Sequence, residues 1–144
     1  MFQKPVQKIL EEANNIQNVE ERVEFMKKNM RLSVAKVLAI FHNESIEFER
    51  FKDVVYSTKH NKAGISDSTL DHEIKRLYIF QKKSPLDPER KKVKLIQILE
   101  SMHGEESDFV WNNLIQKKNP YKNLNKNFIK KYFPNILDLN IDRV

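Results

Sequence analysis

Apolar residues return every three or four positions in one stretch of this chain after another, and that period constrains the fold more than any other feature. Val34, Val37, Leu38 and Phe41 form a wide apolar stripe between Leu32 and His42. Val6, Ile9, Leu10 and Ala13 share a face behind Pro5, a residue suited to the first helical position, and Asn14-Asn15 ends that segment. Asn18 followed by Glu21 spells a capping box, opening a helix that turns Val19, Val23 and Met26 inward and ends near Asn29. Ser68 with Asp71 reads as a second cap, ahead of Leu70, Ile74, Leu77, Tyr78 and Phe80. Asp87-Pro88-Glu89 is a third helix start, with a capping carboxylate, proline at the first position and acid in the first turn. Behind it Val93, Leu95, Ile96, Leu99 and Met102 make the buried face, and Gly104 suits the C-terminal cap. Glu105, Glu106 and Asp108 open the next helix, whose inner residues are Phe109, Val110, Leu114 and Ile115, joined by Trp111. A last short helix runs from Asn125 to Tyr132 or Phe133 and is closed by Pro134.

Between Asn43 and Asp67 neither period holds, and the spacing predicts a long loop with at most one short helix. The expected architecture is therefore all-α: a compact bundle of about six to eight helices with one long irregular connection. It forms a single domain over residues 1–144, with 1–5 and 138–144 as flexible ends. Ile136, Leu137, Leu139 and Ile141 are available to dock back.

Several kinds of chemistry find no residues to carry them. Only Gly64 and Gly104 are glycine, too few for a loop that cradles phosphate with its backbone. There is no cysteine, hence no disulfide and no thiolate metal site, as in a chain of the reducing cytoplasm. The apolar runs fall far short of the ~20 residues of a bilayer span, and the N-terminus lacks a secretory signal core. His42, His60, His72 and His103 include no pair four apart, and Asp71-His72-Glu73 points to three different helix faces. Asp87, Glu89 and Lys91 resemble a nuclease pattern only superficially, because all three lie in one helical turn where capping accounts for the acids. The expectation is a protein that is not an enzyme and uses no metal or cofactor.

One segment stands out by charge. Residues 109–137 hold six lysines and no acid, whereas residues 1–108 hold 19 Lys+Arg against 18 Asp+Glu. Nearly all of the formal net charge of +6 thus comes from Lys117, Lys118, Lys122, Lys126, Lys130 and Lys131. Such a cluster offers a field to a polyanion, although lysines also line any solvated helix face. The turn Lys122-Asn123-Leu124-Asn125-Lys126-Asn127 would present backbone N–H groups at a helix start, and its asparagines can donate to phosphate and sugar oxygens. Tyr121 is available to pack on a sugar or base. A second group, Lys27, Lys28 and Arg31, with Lys36 beyond it, lies in an acid-free stretch and could grip a duplex at a second point.

The order of these elements resembles the N-terminal helical DNA-binding domain of ATP-dependent DNA ligases, most closely the T-even phage type. The matching residues are Lys8-Ile9-Leu10-Glu11-Glu12 in the first helix, Lys28-Asn29 closing the second, and Phe133-Pro134-Asn135-Ile136-Leu137 at the end, over about residues 6–137. Asn123 stands where the family's turn has a glycine whose neighbouring amides reach phosphate, and asparagine tolerates a left-handed backbone best after glycine. Asn125 and Asn127 stand where the family has serines. The chain lacks the Lys-x-Asp-Gly motif of the nucleotidyltransferase domain. The resemblance implies the DNA-gripping part without the chemistry: a small stand-alone protein, such as a phage accessory factor in the host cytoplasm, holding double-stranded DNA by its backbone. The alternative is a factor that binds a protein of the replication, transcription or host-defence machinery through the 136–141 tail or the Phe48/Phe51 loop.

Overall fold

The computed structural model describes residues 4–58 and 68–142. Gly64, His60 and the rest of residues 59–67, the last part of the expected Asn43–Asp67 loop, lie outside the described residues. Seven α-helices occur among the described residues: α1 (Val6–Asn14), α2 (Val19–Asn29), α3 (Leu32–His42), α4 (Leu70–Glu73), α5 (Pro88–Ser101), α6 (Gly104–Phe109) and α7 (Lys126–Tyr132). Tight 3-10 turns extend α4 through Ile74–Phe80, precede α7 at Lys122–Leu124 and follow it at Pro134–Asp138. A π-helical turn, Val110–Leu114, continues α6. No strand forms among the described residues, only the isolated bridges Phe48–Gln81 and Ser68–Met102. The protein is all-α.

α3 is the central element. Six of its apolar side chains, from Val34 to Phe41, are buried on all sides together with Ser33, Lys36 and His42. A helix apolar all round belongs in the middle of a core, and one continuous buried cluster runs from Val6 to Ile141. The capping expectations hold at α2, where Asn18 Oδ1 accepts from the Glu21 N–H at 2.9 Å, and at α5, where Asp87 accepts from the Glu89 N–H at 3.1 Å. At α4 the cap is Thr69 rather than Ser68: Thr69 Oγ1 accepts from the His72 N–H, while the Ser68 hydroxyl bonds the buried Glu73 carboxylate. Gly104 does not cap α5. It opens α6, where the Thr58 hydroxyl stands 3.0 Å from the place a Cβ would occupy.

The expected flexible end from residue 138 is packed over its described part. Ile141 is fully buried, Asn43 Nδ2 donates to the Leu139 carbonyl, and Asp142 accepts from Gln81 and Lys83. Ile136 and Ile141 sit at the spacing that lets both reach the core, which favours docking over a free tail. Gln81 joins three segments here: it pairs with Phe48, its carbonyl accepts from the buried Lys91 ammonium at 2.8 Å, and its side chain donates to Asp142. No helix among the described residues is long and apolar enough to cross a membrane.

Candidate nucleic-acid interface

The π turn after α6 ends at Lys117, whose φ of 54° is one of two positive values among the described non-glycine residues. That left-handed step turns the chain and sends the Lys117 side chain back against the segment after α3. Its ammonium donates to the Asn43 carbonyl at 2.8 Å and the Ile46 carbonyl at 2.6 Å. Burial, the foremost influence, holds its pKa below the usual lysine value. Lys117 is thus a clamp between two loops and is not available to a phosphate.

The bend before α7 is likewise occupied. Asn123 has no left-handed backbone. It lies in the 3-10 turn, its N–H donates to Asn14 Oδ1 at 2.8 Å, and its side-chain amide donates to the Asn14 carbonyl at 2.7 Å. Asn125 caps α7 by accepting from the Phe128 N–H at 2.9 Å. The expected cradle of free amides around Asn123 is therefore closed by α1 and by the cap, because buried polar groups near a helix end must find partners inside the fold. Tyr121 is buried against Phe109 with its hydroxyl on the Gln7 carbonyl, so it does not face a base, and burial pushes its phenol well above its ordinary pKa. His42 Nε2–H donates to the Leu124 carbonyl at 3.0 Å, and burial foremost lowers its pKa, with Lys126 and Lys117 adding to the effect. Replacing Asn14 with alanine removes both contacts to Asn123. We expect a loss of about 1–2 kcal/mol in denaturant unfolding and faster amide exchange at Asn123.

What remains exposed is a set of ammonium groups rather than a backbone cradle. Lys118, Lys122, Lys130 and Lys131 are exposed and have no carboxylate partner among the described residues. Asn127 is exposed beside them. Lys126 is the exception, paired with Glu44 at 2.8 Å in a surface contact of the kind worth little. That ammonium's hydrogen bond and charge hold the Glu44 carboxyl below its usual pKa. Lys130 and Lys131 sit in the last turn of α7, where the helix dipole favours cations, and Lys131 also stands 5.3 Å from the Tyr132 ring centre.

The second group is split. Lys27 and Lys28 are exposed in the last turn of α2. Arg22, five and six residues earlier on the same helix, stacks 5.3 Å from the Phe128 ring, so the start of α2 lies against α7. Arg31, by contrast, is taken up internally. Its guanidinium holds Asp71 through two bonds of 2.8 Å and donates to the Lys4 carbonyl at 2.7 Å, tying together the starts of α1, α3 and α4. Asp87 caps α5 and Lys91 is buried on Gln81, so the acids and the lysine of that turn do not converge. Among the described residues no group of three or more metal-binding side chains comes together. No family model, curated protein or solved structure matches the chain.

Proposed function

We propose that this protein is a non-enzymatic, largely sequence-independent DNA-binding module that holds the duplex backbone through lysine side chains. The observation that carries this reading is that Lys118, Lys122, Lys130 and Lys131 are exposed and unmatched by acid, in the segment that supplies nearly all the net charge. Ammonium groups on flexible stems suit non-specific phosphate contact, which needs charge and reach but no base-edge geometry. Lys27 and Lys28 extend the set along α2. The resemblance to the helical domain of DNA ligases supports the same class of partner, resting on the residues quoted for it. A protein partner is less favoured: Phe48, Ile136 and Ile141 are buried, and Phe51 packs edge-to-face on Phe80, so the apolar side chains that reading relied on are buried or partly buried.

Fluorescence anisotropy with a labelled duplex at two salt concentrations tests the proposal. Four neutralised phosphates give a log–log salt slope of about −3.6, or roughly a hundredfold loss of affinity between 50 and 200 mM. Changing Lys118, Lys122, Lys130 and Lys131 together to glutamine should flatten that slope and weaken different duplex sequences alike. Glu44→Gln frees Lys126 and removes an acid, and should tighten binding a few-fold. No binding at ~50 mM salt, or an unchanged slope in the quadruple variant, rejects the reading.

A further inference from the structure

A pocket of about 700 Å³ opens between α3, the 3-10 turn after α4, and α5, within the size range of small-molecule sites. None of its lining residues belongs to the 118–131 segment. Four of them are cations: Lys36, Lys75, Arg76 and Lys94. Lys36 is the unusual one. It projects from the central helix, is only 8% exposed, and has no hydrogen-bond or ion-pair partner among the described residues, its ammonium remaining open to solvent. Every other cation this deeply placed is satisfied: Lys91 rests on the Gln81 carbonyl and Arg22 on the Ile16 carbonyl.

The pocket's two acids do not answer it. Glu73 is buried against the Ser68 hydroxyl and Arg76, and Asp142 is held by Gln81 and Lys83. Lys75 and Lys94 are exposed at the rim and have no carboxylate partner among the described residues. A long stem crossing apolar surface to reach water would explain one such lysine. It does not explain why two further unmatched ammonium groups and a guanidinium surround the same opening, since like charges gathered at a low-dielectric wall repel. Tyr78 and Ile98 supply an apolar side.

We propose that this pocket binds a small phosphorylated molecule, with the Lys36 ammonium contacting the phosphate from the pocket floor and Lys75, Arg76 and Lys94 closing around it. A multiply charged phosphate supplies counter-charge to the three lysines that the pocket's own acids leave unmatched, and its several oxygens match several donors at once. The site is independent of the lysine face offered to DNA.

Inorganic pyrophosphate and ADP are the probes, titrated by calorimetry into the full chain and followed in parallel by thermal unfolding. One or both should bind the unaltered protein and raise its Tm by several degrees near saturation. Lys36→Met keeps the apolar stem and removes the unpaired ammonium, so the free protein should unfold at the same or a higher temperature. Affinity should fall at least tenfold, and the ligand-dependent rise in Tm should vanish. Lys94→Gln, at an exposed rim position, should weaken binding less and leave the free Tm unchanged, a check that holds if Lys36→Met fails to fold. Neither probe binding at millimolar concentration in low salt, both variants binding like the unaltered chain, or sodium sulfate at equal ionic strength producing the same Tm rise would overturn the assignment. Because Lys118, Lys122, Lys130 and Lys131 take no part, their quadruple glutamine variant should bind both probes normally whatever its behaviour toward DNA.

Discussion

Lys117→Met is expected to destabilise the protein by about 2–4 kcal/mol, while Lys118→Met, one residue on, changes stability by no more than about 0.5 kcal/mol. The two lysines are equivalent in sequence and opposite in place. Lys117 bridges the Asn43 and Ile46 carbonyls, and removing its ammonium leaves the Ile46 carbonyl unmatched, while the Asn43 carbonyl keeps the Ile46 N–H. Lys118 extends into solvent. A charge-assisted bond contributes about 1.5–3 kcal/mol, and the orphaned Ile46 carbonyl adds to the loss, offset in part by water entering the half-buried site. Lys117→Gly separates two effects: it relieves the left-handed backbone, worth about 1 kcal/mol, yet still loses the clamp, so it should recover only part of the methionine variant's deficit. Urea unfolding of the three variants gives the comparison. On DNA the order reverses: at temperatures where both variants are folded, Lys118→Met should reduce the salt slope by about 0.9 and Lys117→Met should not.

Arg31→Met should cost about 2–3 kcal/mol at neutral pH, and the cost should shrink in acid. Its ion pair with Asp71 is only partly buried, with side-chain exposures of 24% and 23%, which places it below the 3–5 kcal/mol of a fully buried pair that loses one partner. Burial pushes the Asp71 carboxyl up, but the Arg31 and Ser33 hydrogen bonds and the Arg31 charge together outweigh it and leave the pKa below its ordinary 3.8. A carboxylate with a depressed folded-state pKa adds stability that is complete above the unfolded value and disappears as pH falls through the folded one. The unaltered protein therefore loses this contribution below about pH 4. In Arg31→Met only the Ser33 hydrogen bond still opposes burial, so Asp71 becomes easier to protonate and the variant recovers as pH drops. The two stability curves should approach each other below pH 4. Curves that stay parallel from pH 7 to pH 3 would show that Arg31 acts through the Lys4 carbonyl and not through Asp71.

Both residues were expected to touch DNA, and their actual positions show what sequence could and could not convey. Local signals survived best, although the caps read at Ser68 and Gly104 fell elsewhere. The caps at Asn18, Asp87 and Asn125 form within three residues of the groups they satisfy, so the pattern contains the whole interaction. The central stripe of α3 and the buried side of α1 followed directly from helical spacing. Periodicity identified shared faces but not always which face turns inward: Val19, Leu32 and Val93 fit the apolar period yet remain substantially exposed, while Lys36 and Lys91 are buried beside them. The roles of Lys117 and Asn123 depend on partners 74, 71 and 109 residues away. Nothing near either residue in the chain announces such a partner. The density of lysine marked the right region, and the fold then divided it into clamps and free charges.

Gln81 fixes the order in which one corner can assemble. Its three attachments come from the segment around Phe48, from α5 through Lys91, and from Asp142. During synthesis the first two can meet while the final stretch is still inside the ribosome, but the third cannot. That corner should stay open on the nascent chain until residue 142 emerges, leaving the Gln81 amide with only the Tyr78 carbonyl and Ile141 unseated. Co-translational proteolysis would therefore find it still open after the contacts of Gln81 with Phe48 and Lys91 have formed.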